Sequence, residues 1–135
     1  MEKAGYLQRT RCQALDSEGV LNEVLELHIC GTRYALRRAD LIRAVSGRVM
    51  IQVEELTKNW DYYLGATAGL AQVSASGKAL NIDLFGNGSF TLSLNALKSV
   101  LYGKERLAGI VRIPESHAPR LRRIVDGQQT IGAVV

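Results

Sequence analysis

Three groups of arginines are the residues here best suited to chemistry: Arg9 with Arg11, Arg37 and Arg38 with Arg43, and Arg120 with Arg122 and Arg123. A guanidinium presents a planar fork of donors that fits phosphate, and arginine dominates backbone contacts to nucleic acid. Arg37, Arg38, Arg43, Arg120, Arg122 and Arg123 are therefore the candidate nucleic-acid contacts. Two features weigh against a single patch. Strand alternation sends Arg37 and Arg38 to opposite faces, and Glu23, Glu26 and Asp40 lie near enough in sequence to offer partners. A solvated, partly ion-paired face is the plainer expectation.

Two further stretches read as interface rather than chemistry. Trp60, Tyr62 and Tyr63 form the one dense aromatic cluster; such residues stack bases, anchor protein interfaces, or begin a buried strand. The ending Thr130–Val135 carries Ile131, Val134 and Val135 and no charged side chain. As an added strand it would pair with a sheet edge, and exchange between two chains would give a closed homodimer.

No catalytic constellation emerges. His28 and His117 are single histidines without a third ligand in sight, and Ser116-His117 is only sequence adjacency. Cys12 and Cys30 have neither metal nor redox spacing. Gly86-Asn87-Gly88 and Gly65-Ala66-Thr67-Ala68-Gly69 do not open a helix as a phosphate cradle does. No catalytic, metal or cofactor-binding residue is expected, and no cofactor.

The elements that must position these residues read as mainly β, with α+β at the margin. Leu25, Leu27 and Ile29 alternate with Glu26 and His28. Leu80, Ile82 and Leu84 alternate with Asn81 and Asp83, and Phe90, Leu92 and Leu94 with Thr91 and Ser93. This period of two makes half-buried strands. Asn87-Gly88 predicts a hairpin turn. Asp40 is placed to cap a short helix over Leu41–Val45, and Gly47 and Gly103 stand where helices stop. Asn95–Leu101 is the second helix. Arg48–Val53 closes the first half as a strand, and Glu54–Asn59 reads as the connection that follows. Residues 2–15 fit either a helix or a strand; as a strand, Leu7, Arg9, Arg11 and Gln13 form a basic outer face.

The same plan thus reads twice, as residues 1–56 and 57–115, followed by a helix and apolar tail over 116–135. The expected architecture is an internal duplication of strand, hairpin, short helix and strand. Neither copy can bury its one apolar face alone, so the two close on each other as a sandwich or partly closed small barrel, each helix plugging one open end.

The net charge of +4 is mild: residues 1–56 balance eight basic against eight acidic side chains. No apolar run approaches the roughly 20 residues of a membrane span, and the start lacks a secretion signal, so a soluble cytoplasmic protein with no membrane partner is expected. The reading is a non-enzymatic binding or assembly module, self-associating as a dimer. A nucleic-acid-binding or regulatory protein using the arginines stands second, and an enzyme without a recognisable motif third.

Overall fold

Alternating apolar residues need a second apolar surface, and here the sheet supplies it by closing on itself. The computed structural model describes residues 3–59 and 61–114. In chain order these form β1 (Lys3–Leu15), β2 (Leu21–Ile29), β3 (Thr32–Arg37), α1 (Arg38–Gly47), β4 (Ile51–Lys58), β5 (Tyr62–Val73), β6 (Ala79–Leu84), β7 (Gly88–Ser93), α2 (Leu94–Leu101) and β8 (Leu107–Ile113). The eight strands make a closed barrel in sequence order, each antiparallel to the next, and β8 returns to pair with β1. Residues 3–15 are thus a strand and not a helix. The order β-β-β-α-β occurs twice along the chain.

Leu7, Leu25, Leu27, Ile29, Leu36, Leu80, Ile82, Leu84, Phe90, Leu92 and Ile110 fill the barrel. The register explains the choice: Leu25 opposes Leu36, Leu27 opposes Leu7 and Tyr34, and Ile82 opposes Phe90. Leu7 therefore faces the interior, which corrects the expectation that its side of β1 is a solvated basic face. A pairing to Leu27 across the ladder sets the face of Leu7.

Both helices lie at the same end of the barrel, not one at each end. In an all-antiparallel sequential barrel the connections β3 to β4 and β7 to β8 cross at the same rim. Leu41 and Ala44 of α1, with Leu94, Leu97, Val100 and Leu101 of α2, are buried and belong to the barrel core. Ser93 caps α2, its hydroxyl accepting from the Ala96 N–H at 3.3 Å. At α1 the expected cap is corrected: Arg37 occupies the N-cap position with no side-chain cap bond, and Asp40 sits in the first turn, where its charge suits the helix dipole. The stop moves as well. α1 runs through Gly47, and Arg48 takes the left-handed conformation at φ 55°, its guanidinium donating to the Ala75 carbonyl at 3.2 Å.

Two glycine-bearing stretches show why small residues stand there. The Leu84 carbonyl accepts from the Asn87 N–H at 3.0 Å in the β6–β7 turn. The left-handed positions are Gly86 and Gly88, not Asn87. In β5 a side chain at Gly69 would overlap the carbonyl oxygen of Asp83 on β6, so this strand needs the small residues its sequence carries.

A second apolar layer was not foreseen. Val24 and Ala35 point away from the barrel core, yet they are buried with Cys12, Ala14, Leu56 and Leu64. β4 continues through Glu54 to Lys58, a stretch expected to be a connection, because Leu56 packs here and Glu54 pairs with Arg37. Irregularities between Val53 and Leu56 break the β4–β5 ladder; such bulges bend a hairpin. A short parallel contact, Ala14 to Tyr62 and Leu15 to Tyr63, ties this layer to β1.

Candidate anion-binding site

At the helix-bearing end a cleft of about 640 Å³ opens between β1, β2, β8 and the two helices. Its floor is Leu25, Val100 and Leu101, all buried, and its walls are polar: Gln8, Arg9 and Thr10 from β1, Glu23 from β2, Arg38 from the start of α1, and Arg106 from the loop entering β8. An adjoining recess of about 300 Å³ shares Glu23 and Arg38 and adds Asn22, Arg37, Ala39, Asp40 and Ile42.

Closure of β1 on β8 makes the cleft. The Arg9 N–H donates to the Arg106 carbonyl at 2.8 Å. The Arg9 guanidinium donates to the Gly103 carbonyl at 2.7 Å, 94 positions away in sequence. The β1–β2 ladder is irregular between Gln8 and Cys12, so Arg9 and Thr10 stand at an interruption of the sheet, a place where bulges re-aim side chains. The Arg38 and Arg106 guanidiniums make no hydrogen bond or ion pair with the described residues. The described lining residues thus include three arginines and one acid, Glu23, with the Arg9 guanidinium also donating to the Gly103 and Lys104 carbonyls.

The other arginines of the sequence reading meet different fates. Arg37 is held in a fork by Glu54, Nε to Oε1 at 2.7 Å and the second bond at 2.9 Å. It also donates to Asn22 at 3.2 Å and lies 3.7 Å from Asp16. The Glu54 hydrogen bond holds its guanidinium charged above its ordinary range. Arg43 pairs with Asp40 at 2.6 Å. The Arg37 fork is not open to a ligand without breaking its pair, whereas Arg43 makes a single bond through one terminal nitrogen and stays exposed. Arg120, Arg122 and Arg123 lie outside the described residues, as do Trp60, Ile131, Val134 and Val135. Tyr62 is half-buried against the second apolar layer, with the Lys58 ammonium 5.3 Å from its ring; Tyr63 is exposed.

A second polar group lies on the outer face of β2. Glu26 is buried, its carboxylate 3.1 Å from the His28 ring and 3.4 Å from Arg33, and Tyr6 stacks on His28 at 4.6 Å. Each charge here is answered by a neighbour, which suits a structural network better than a site. Beside it, burial above all, then Glu26, pushes the Cys12 thiol up to about 11. The folded thiol keeps its proton to higher pH than the unfolded one. Stability from this site is therefore whole below the ordinary value of 9 and falls as pH climbs toward about 11. Cys12 and Cys30 are both free, Cys12 buried and Cys30 exposed. At neutral pH a soluble thiol reagent should label the native chain once, at Cys30, and the denatured chain twice. Rapid double labelling of the native protein would contradict the burial of Cys12.

Arg106 stands outside the three arginine groups of the sequence, alone beside Lys104 and Glu105. Only the pairing of strands from the two ends of the described chain brings it to Arg9. Among the described residues no three His, Cys, Asp or Glu side chains gather as a metal site, and no helix is long and apolar enough to cross a membrane. Comparison with known proteins finds no family model, no curated protein and no solved structure that matches this chain.

Proposed function

We propose that this protein is a non-enzymatic binding module whose cleft takes a small ligand through a phosphate group. The observation that carries this is that Arg9, Arg38 and Arg106 line one cleft, the guanidiniums of Arg38 and Arg106 having no partner among the described residues. Three guanidiniums and one carboxylate leave a surplus of two positive charges, which a phosphate monoester, bearing roughly −1.5 to −2 at neutral pH, balances. Arginine forks supply the directed donors such a group needs. The cleft volume of about 640 Å³ falls in the range of small-ligand pockets. An extended nucleic-acid groove is less favoured, because Arg37 and Arg43 are bound to Glu54 and Asp40.

The test uses methyl phosphate as the minimal probe. Arg38→Ala and Arg106→Ala should each weaken its binding about tenfold, the equivalent of losing one charge-assisted hydrogen bond. Unchanged affinity in both variants refutes the cleft as the phosphate site.

The reading places the protein in the cytoplasm, which its two free thiols support. The recurrence of β-β-β-α-β supports a further proposal, that the two halves descend from one duplicated unit. Self-association is also part of the proposal. The closed barrel leaves little sheet edge for an exchanged strand, so exposed Tyr63 is the better described candidate for the contact.

A further inference from the structure

We infer that the ligand's remaining part is uncharged and rich in hydroxyls, making it a sugar phosphate whose hydroxyls donate to Glu23. This rests on the phosphate reading above. Glu23 is the one acid among the described residues of the arginine cleft, and it also lines the adjoining recess, so it stands at the junction of the two. Its carboxylate makes no hydrogen bond or ion pair with the described residues. An ionised carboxylate is acceptor-only, and beside a phosphate it repels. It is useful in that position only if the same ligand brings it donors.

The recess narrows the choice of donor. Apart from Arg38, which the phosphate takes, its other polar side chains are already engaged: the Asn22 amide donates to Asp16 and accepts from Arg37, Arg37 is held by Glu54, and Asp40 accepts from Arg43. Glu23 is left as the carboxylate of the recess with neither oxygen engaged among the described residues. An ammonium on the ligand would restore one of the positive charges that the phosphate neutralises. A hydroxyl donates to Glu23 without adding charge. Ala39 and Ile42 give the recess apolar wall against which the carbon skeleton of a sugar packs.

Ribose 5-phosphate and methyl phosphate carry the same phosphate monoester and differ in hydroxyls, so calorimetric titration with both separates the two claims. The full chain should bind ribose 5-phosphate about tenfold more tightly than methyl phosphate, the worth of one hydrogen bond to a charged acceptor. Glu23→Ala should erase that preference while methyl phosphate, relieved of the carboxylate's repulsion, binds more tightly than before. Glu23 is exposed, so the variant is expected to fold. Equal affinity for the two probes in the unmodified chain overturns the sugar inference and leaves the phosphate reading standing. A preference that survives Glu23→Ala overturns the role of Glu23. Binding of neither probe overturns both.

Discussion

Phe90→Ala is expected to destabilise the fold by about 3–5 kcal/mol, the largest single loss from the barrel core. Phe90 has no solvent exposure, opposes Ile82 across the β6–β7 ladder and Arg112 across the β7–β8 ladder, and has the Arg112 guanidinium 4.7 Å from its ring. Removing it leaves a cavity that a closed barrel has little freedom to collapse, since every strand is pinned by two neighbours. Leu27→Ala and Ile82→Ala, each fully buried on facing parts of the wall, should cost about 2–5 kcal/mol. Chemical denaturation of the three variants checks this. A loss under about 1 kcal/mol at Phe90 would contradict its place in the core.

The second large effect is expected at Arg37. Arg37→Met leaves the Glu54 carboxylate nine-tenths buried without its counter-charge. The cost should be about 2–4 kcal/mol, at the lower side of what breaking a buried pair usually takes, because the Arg37 side chain keeps 28% exposure and water screens the pair in part. The folded variant should still bind methyl phosphate within about twofold of the unmodified chain, less than a hydrogen bond's worth. That pairing of outcomes distinguishes Arg37 from its neighbour Arg38, for which the expectations are reversed. Loss of binding with unchanged stability at Arg37 would contradict the division of roles.

The barrel core was legible where one rule decides the outcome. In β2, β6 and β7 apolar residues alternate cleanly, and Leu25, Leu27, Leu80, Ile82, Phe90 and Leu92 went inside as that alternation requires. The residues between them were harder, because burial on the outer face depends on which distant strand covers it. Val24 and Ala35 are buried by Leu56 and Leu64, and nothing near Val24 announces that hairpin. For the same reason Glu54–Lys58 looked like a linker: the partner that makes Glu54 a strand residue is Arg37, 17 positions earlier.

Local chemistry misled at the helix ends for a different reason. Asp40 and Gly47 are good capping types, but tertiary contacts set the ends of α1, with Arg48 tied to the β5–β6 turn. Gly103 was expected to be a helix stop through its freedom at positive φ. It stands instead where a side chain would come within 2.9 Å of the Ser99 carbonyl, so crowding, not conformation, selects glycine. The candidate site was half legible. Arg38 and Arg9 were singled out, but on separate surfaces. Arg106 and the converging role of Glu23 depend on barrel closure, a long-range event that spacing does not encode.

Titrating methyl phosphate into the isotopically labelled full chain, and following backbone amide resonances, tests the central claim most directly. The cleft reading predicts saturable shifts confined to the helix-bearing end, at Gln8 to Thr10, Glu23, Arg38 and the Val100 to Arg106 stretch. Shifts clustered instead around Cys30, Asn87 and Arg112 at the opposite end, or no saturable shift at any residue, would contradict it.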